Sequence, residues 1–207
     1  MSIASAKRGG DVSPEAQKVF IQKHVTAKRT VGKSAASAGM KPFGVALVGM
    51  GASGKGVWPS LMKLKKTGYH VFYDMRPVDR AGLVKSGVPS RMIGLISTDM
   101  GMSKDRFVKI TGLSRATTNR KIASKTDFSV DESERLVGLI KLIGQVESIV
   151  RESGVPEGFK AAKWFSDWIE QPAPALGGLK PEELLDTSDG REAVSRLLSQ
   201  IQSGAYA

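Results

Sequence analysis

Apolar residues recur at helical spacing over most of the chain. From about Asp131 to Val150 they return every three or four positions, which predicts one long helix with a continuous apolar face. The same spacing predicts a helix from about Glu157 to Glu170 and a final helix from about Arg191 to Gln202. The apolar positions on these helices are Leu136, Leu139, Ile140, Ile143 and Val146, then Phe159, Trp164, Phe165, Trp168 and Ile169, then Val194, Leu197, Leu198 and Ile201. The pattern predicts a mainly α-helical chain from about Arg76 onward.

Two shorter helices joined by a glycine turn precede the long helix. Ser103 and Ser114 each stand where a side-chain oxygen caps the first turn of a helix. Gly112 lies in the turn between them, at a position that needs a left-handed backbone, and Leu113 follows it as an anchor to the core. Helix–turn–helix motifs that read DNA have this rhythm, and their second helix enters the major groove.

The second of these helices carries groups suited to DNA. Arg and Lys bond guanine edges or phosphates, and Thr contacts phosphate or a thymine methyl group. Thr118 and Val108 occupy places that are usually apolar and small, respectively, which indicates unusual packing of the two helices. The alternative is a basic, solvated helical hairpin without a DNA role. The candidate DNA-binding residues are Ser114, Arg115, Thr117, Thr118, Arg120 and Lys121.

The segment from Trp168 to Ala207 is rich in residues that fix backbone shape. It has no Cys or His and no nucleophile–base pair, so it favours binding over catalysis. Prolines stiffen it and lower the entropy lost on binding, while Gly177 and Gly178 permit a turn that other residues disfavour. Tyr206 near a terminal carboxylate is an aromatic anchor suited to a concave basic site. For Trp168, Leu176 and Leu184 the alternative is ordinary core packing.

A glycine-rich stretch in the first third of the chain suggests a different function. Gly49-x-Gly51-x-x-Gly54 follows a predicted strand at Phe43 to Val48, and Asp74 ends a second predicted strand from Tyr69. This is the layout of a dinucleotide-binding unit. Pro59 falls inside the helix that should follow, no further strand–helix alternation comes after Asp74, and Gly56 replaces the Ser or Thr of a Walker loop. A structural glycine loop is therefore favoured over a nucleotide-dependent enzyme that uses Gly49 to Asp74.

Charge indicates the class of partner. The 207 residues contain 31 Lys and Arg against 20 Asp and Glu, a formal net charge of +11, which favours a polyanion such as nucleic acid. With no Cys and only two His, a thiolate metal site or a disulfide framework is excluded, and no cofactor is expected. No apolar run has the ~20 residues of a membrane span, so we expect a cytoplasmic protein without membrane contact. Residues 1–41 are predicted to form a basic, flexible extension, and residues 42–75 a short strand and glycine-loop region.

Together, these motifs make the chain similar to one protein family. From about Phe72 to Ala207 the chain resembles the Xre/MbcA/ParS family of bacterial type II antitoxins. The resemblance implies an Xre-like helix–turn–helix domain at residues 76–130, followed by the long helix and a small helical toxin-binding domain at residues 131–207. The motifs that carry it are the start of the long helix at Asp131-Glu132-Ser133-Glu134, then Trp168-Ile169-x-x-Pro172, Pro174-Ala175-Leu176-Gly177-Gly178, Pro181-x-x-Leu184-Leu185-Asp186-Thr187, Gly190-Arg191 and Gly204-Ala205-Tyr206-Ala207.

The resemblance also implies a function and partners. Such an antitoxin neutralises a cognate toxin by direct binding, commonly a RES-domain protein that consumes NAD⁺, and represses its own operon as a DNA-binding homodimer. We therefore expect a non-enzymatic antitoxin, with two alternatives: a DNA-binding regulator without a toxin partner, or the nucleotide-binding enzyme discussed above. The implied toxin-binding residues are Trp168, Pro172, Leu176, Gly177, Gly178, Pro181, Leu184, Leu185, Arg191, Tyr206 and Ala207.

Overall fold

Eight α-helices and two 3₁₀ turns make up the part of the chain that the computed structural model describes, namely Trp58, residues 68–153 and residues 158–203. Within those ranges no strand is present, and none of the helices is both long and apolar enough to cross a membrane. The helices are α1 His70–Asp74, α2 Pro77–Ser86, α3 Met92–Asp99, α4 Lys104–Ile110, α5 Arg115–Ser124, α6 Val130–Glu152, α7 Ala161–Trp168 and α8 Ser188–Ser203, and the 3₁₀ turns Pro174–Leu176 and Pro181–Leu184 lie between α7 and α8.

Helix α6 is the centre of the fold. It begins with a capping box, in which the Ser129 hydroxyl accepts a hydrogen bond from the Glu132 amide and the Glu132 carboxylate accepts one from the Ser129 amide. Helices α1, α2, α7 and α8 all pack on it. Its buried residues therefore extend well beyond the predicted stripe and include Val137, Leu142 and Gln145. A helix that is buried on most sides needs apolar residues around most of its circumference.

The segment from Tyr69 to Asp74 corrects a prediction. Its sequence predicts a strand, but residues 70–74 form helix α1, which packs across α6 with Phe72 fully buried. The two backbones approach so closely at Gly144 that an added Cβ would clash with the Tyr69 carbonyl oxygen. The β-branched and aromatic residues of the segment suit a buried surface in either conformation, and the packing favours the helix. The second strand of the supposed dinucleotide-binding unit is therefore absent, while Phe43 to Val48 and the glycine loop lie outside the described residues.

Helix ends differ from the predicted ones by a few residues. Helix α7 is shorter than predicted, whereas α8 begins at Ser188 instead of Arg191. Pro89, three residues before α3, forms an isolated antiparallel bridge with Asp127. Trp58 is buried in the same core, where its indole N–H donates to the Ser86 hydroxyl at 3.2 Å.

Candidate functional site

The helix–turn–helix predicted from the sequence is formed by α4 and α5. The Ser103 hydroxyl accepts from the Arg106 amide at 3.2 Å, and the Ser114 hydroxyl accepts from the Thr117 amide at 3.4 Å, so both predicted caps are confirmed. Gly112 has φ +64°, which confirms the left-handed turn. Leu113 is buried behind it, as predicted. The turn thus holds α5 in a fixed direction on the surface.

One face of α5 is exposed and polar. Arg115 and Arg120 lie on it, with Asn119 between them in space because it is four residues after Arg115. Asn119 was missed in the sequence analysis, although its helical spacing from Arg115 was a usable signal. An Asn side chain can bond adenine through two hydrogen bonds, and Arg can bond guanine in the same way. Of the other predicted contacts, Ser114 is exposed at the helix start and Thr117 is half-buried.

Thr118 does not belong to this face, which corrects its assignment. Its side chain is only 1% exposed, and it fills the place where such motifs usually carry an apolar residue. Its hydroxyl oxygen is buried without a hydrogen-bond partner in the described part of the chain. A buried side chain cannot contact DNA, so the position serves packing between α5 and the rest of the motif.

Lys121 is bonded within the protein, and its assignment as a DNA contact stays a prediction. Its ammonium lies 3.1 Å from the Glu132 carboxylate, donates to the Asp127 carbonyl at 2.9 Å and stands over the Phe128 ring at 5.5 Å. The side chain is 19% exposed. It would have to break all three of these favourable interactions to reach a phosphate, and its role is to join the end of α5 to the start of α6.

The second predicted surface is a closed loop at residues 169–182, hereafter the proline–glycine loop. At its base the Glu182 amide donates to the Ile169 carbonyl at 3.1 Å, and higher up the Ala173 amide donates to the Leu179 carbonyl at 3.0 Å. Gly177 and Gly178 both have positive φ, at +68° and +85°, which confirms the predicted glycine turn. Backbone hydrogen bonds within the loop therefore favour one defined shape.

The tip of the loop is exposed. Pro172, Pro174, Gly177 and Gly178 face solvent, and the Leu176 side chain is half-buried. Leu179 is 46% exposed, and it was missed in the sequence analysis. Leu184, just beyond the loop, is half-buried as well. An apolar, shape-fixed surface of this kind suits protein–protein contact.

Four residues predicted at this surface are buried, and their assignment is corrected. Trp168 stacks on Trp164 with ring centroids 5.8 Å apart, and Pro181 and Leu185 are enclosed in the core. Arg191 is 5% exposed and donates to the Leu185 carbonyl and to both carboxylate oxygens of Glu134. These side chains support the loop from beneath. Tyr206 and Ala207 lie outside the described residues.

Both surfaces lie in regions of the chain that match known protein domains. An antitoxin Xre-like helix-turn-helix domain matches residues 79–141, which contain α4 and α5, and an antitoxin Xre/MbcA/ParS C-terminal toxin-binding domain matches residues 157–204, which contain the proline–glycine loop. A protein from a Sphingobium species named Prs ADP-ribosylating antitoxin is 44% identical over 160 residues, or 75% of this chain and 94% of that protein. The chain belongs to the Xre/MbcA/ParS antitoxin family.

Other members of this antitoxin family are more distant. Antitoxin Xre of Photorhabdus laumondii is 25% identical over 122 residues, which cover 59% of this chain and 77% of that protein. Antitoxin Xre of Pseudomonas putida is 31% identical over 88 residues, which cover 42% of this chain and 50% of that protein. Family membership confirms the expected helix–turn–helix and toxin-binding domains and makes this chain an antitoxin, not an enzyme. In the described residues, no group of three or more His, Cys, Asp or Glu is placed to hold a metal.

Proposed function

We propose that this antitoxin neutralises its toxin through the proline–glycine loop and represses its own operon through the exposed face of α5. The observation that carries the proposal is the loop itself: it lies in the toxin-binding domain, its tip is exposed, and its backbone is already hydrogen-bonded in one shape. A preformed loop loses little conformational entropy when it docks, so more of the contact energy remains as affinity.

The apolar groups of the loop supply the contact area. Leu179 is exposed and Leu176 half-buried beside it, so both can be covered by a partner without rearrangement of the core. We propose that Tyr206 adds an aromatic anchor to the same partner. Buried aromatic anchors commonly dominate the energy of such interfaces.

The toxin is proposed to be an NAD⁺-consuming protein. The name of the Sphingobium relative couples that antitoxin to ADP-ribosylation of Prs. Transfer of ADP-ribose uses NAD⁺ as its donor, which agrees with the RES-domain partner that the family resemblance implies. Neutralisation then requires only that the antitoxin cover the toxin, with no chemistry from its own side chains.

Operator binding is proposed to occur in the cytoplasm as a homodimer on a palindromic site. Arg115, Asn119 and Arg120 would read or position the major groove. The described domain has little excess charge to attract DNA by itself. Residues 1–67 hold 12 Lys and Arg against 2 Asp and Glu, which leaves a net charge of only +1 for residues 68–207. We propose that the cations of residues 1–67 supply sequence-independent phosphate contacts.

Two assays separate the proposed roles. The chain is co-expressed with the protein of the adjacent reading frame and purified through a tag on that neighbour, with and without truncation after Gln202. Stable co-purification that the truncation abolishes supports toxin binding and the terminal anchor. A harmless neighbour that does not co-purify would contradict toxin binding and leave a DNA-binding regulator.

DNA binding is tested with R115A/R120A. We expect operator affinity to fall at least about 30-fold, since the variant removes two base contacts of about 1–3 kcal/mol each, while toxin binding is retained. R76A/R196A is the matched control, because it removes two exposed, ion-paired arginines outside α5. Equal loss of DNA affinity in both variants would show a charge effect without a specific reading surface.

A further inference from the structure

Arg106 connects the helix–turn–helix to the proline–glycine loop. It lies in α4, and its guanidinium Nη1 is 2.5 Å from the Glu170 carboxylate while Nη2 is 2.8 Å from the Glu182 carboxylate. Glu170 stands at one end of the loop and Glu182 at the other. One side chain from the DNA-reading motif therefore bonds both ends of the proposed toxin-binding element.

Few other hydrogen bonds join the two ends of the loop at its base. The amide of Glu182 bonds the carbonyl of Ile169, and the next backbone bond higher in the loop joins Ala173 to Leu179. Without Arg106, the two carboxylates at the base would remain near each other as uncompensated like charges. Partial burial disfavours the charged guanidinium, but its hydrogen bonds to Glu182 and Glu170 outweigh this and raise the pKa of Arg106, so the cation persists throughout the physiological range.

The helix that carries Arg106 is itself fixed against the C-terminal half of the chain. The Arg135 guanidinium donates to the Gly112 carbonyl in the turn at 2.6 Å. Asp186 packs on the same turn, so that a Cβ added at Gly112 would lie 2.8 Å from the Asp186 Cβ. Helix α4 is thus a rigid support from which Arg106 can hold the loop.

We infer that Arg106 is a positioning residue for toxin binding, which holds the proline–glycine loop in its binding shape from the first helix of the DNA-reading motif. The link to toxin affinity rests on the function proposed above, whereas the hold on the loop can be measured in the free protein. The toxin-binding domain then needs the helix–turn–helix domain for its full affinity.

The first test measures amide hydrogen exchange in the full-length free chain. The readouts are the Ala173, Gly178 and Glu182 amides, which are all hydrogen-bonded within the loop. We expect R106A to speed their exchange at least about fivefold, which corresponds to roughly 1 kcal/mol of local stability. R76A is the control, since Arg76 is an exposed arginine paired only with Asp79 among the described residues. Unchanged exchange in R106A would overturn the inference.

A second variant distinguishes a local effect on the loop from general unfolding of the protein. E170Q/E182Q leaves α4 untouched but removes both carboxylate partners of Arg106, and we expect it to speed the same three amides. If R106A instead speeds exchange equally across α6, the residue is merely needed for folding and the inference fails. R106K should give an intermediate result, because a lysine is a single point charge that bonds two carboxylates less well.

The toxin arm uses a double-mutant cycle with the co-purified neighbour protein as the probe. R106A should weaken binding about tenfold, and adding E170Q/E182Q should weaken it little further, because the arginine acts through those carboxylates. Independent, multiplying effects would mean that Arg106 does not act through those carboxylates, which would overturn the inference. If the wild type does not bind the neighbour at all, the proposed function fails, and the exchange measurement still decides whether Arg106 holds the loop.

Discussion

The guanidinium of Arg115, the first residue of α5, is ion-paired with the carboxylate of Asp105 in the first turn of α4. Both side chains are largely exposed, so the pair contributes at most about 1 kcal/mol to stability. A DNA duplex that takes up Arg115 would have to displace Asp105 and would then face its negative charge. The ion pair therefore lies directly on the proposed reading surface and weakens it.

We expect D105N to strengthen DNA binding about 3- to 10-fold, because it frees Arg115 and removes an anion near the phosphates. The measurement is fluorescence anisotropy of labelled operator DNA at one fixed salt concentration. D167N is the matched control, since Asp167 is an ion-paired carboxylate on α7, away from α5. The gain should disappear in an R115A background, and a gain that survives there would contradict the proposed competition.

The helix–turn–helix could be read from the sequence because local rules decide it. Caps at Ser103 and Ser114 and a left-handed Gly112 follow from hydrogen-bonding and backbone sterics within a few residues. The apolar stripe of α6 was likewise a local pattern. The shape of the proline–glycine loop was partly predictable for the same reason, through its prolines and its two glycines.

Long-range contacts account for what the sequence could not reveal. Arg191 looks like a surface arginine until the Leu185 carbonyl and Glu134 enclose it. Lys121 has the helical position of a DNA contact but meets Glu132 eleven residues later in the chain. Tyr69 to Asp74 has strand-like residues and becomes helical because it packs on Gly144. In each case a partner distant in sequence set the outcome.

Thr118 offers a test of the corrected site. Its buried hydroxyl has no hydrogen-bond partner among the described residues, and such a group costs about 1–3 kcal/mol to bury. We expect T118V, which has nearly the same shape, to raise the free energy of unfolding by about 1 kcal/mol, measured by urea denaturation. Operator affinity should be unchanged, because the side chain does not reach the surface. T117V is the control on the same helix, and a T118V variant that loses DNA affinity with its stability intact would restore Thr118 to the reading surface.

Glu132 makes the stability of the fold depend on acid pH. Burial alone would raise the pKa of this carboxyl, but hydrogen bonds from Ser129 and the Lys121 ammonium lower it overall. A carboxyl with a lowered folded pKa adds stability above its unfolded pKa and loses it as pH falls through the folded pKa. We expect E132Q to be less stable than wild type by about 1 kcal/mol at pH 7, because Gln can keep the capping box but not the ion pair. The difference should shrink progressively as the pH falls below the unfolded carboxyl pKa of about 4.5, and a constant difference at all pH values would assign the effect to packing.

The basic residues that precede Trp58 are expected to control affinity for DNA in a salt-dependent way. Residues 1–57 carry nine Lys and Arg against two Asp and Glu, and so supply +7 of the net charge of +11. Deleting them should weaken binding to operator and random DNA alike. The slope of log affinity against log salt concentration should become less steep, by about 0.9 for each phosphate that is no longer neutralised. Binding at several salt concentrations measures this slope. A variant of unchanged length with those nine cations replaced by Gln should behave like the deletion. The ratio of operator to random affinity should stay constant in both, since sequence reading belongs to α5, and a collapse of that ratio would place base recognition in residues 1–57.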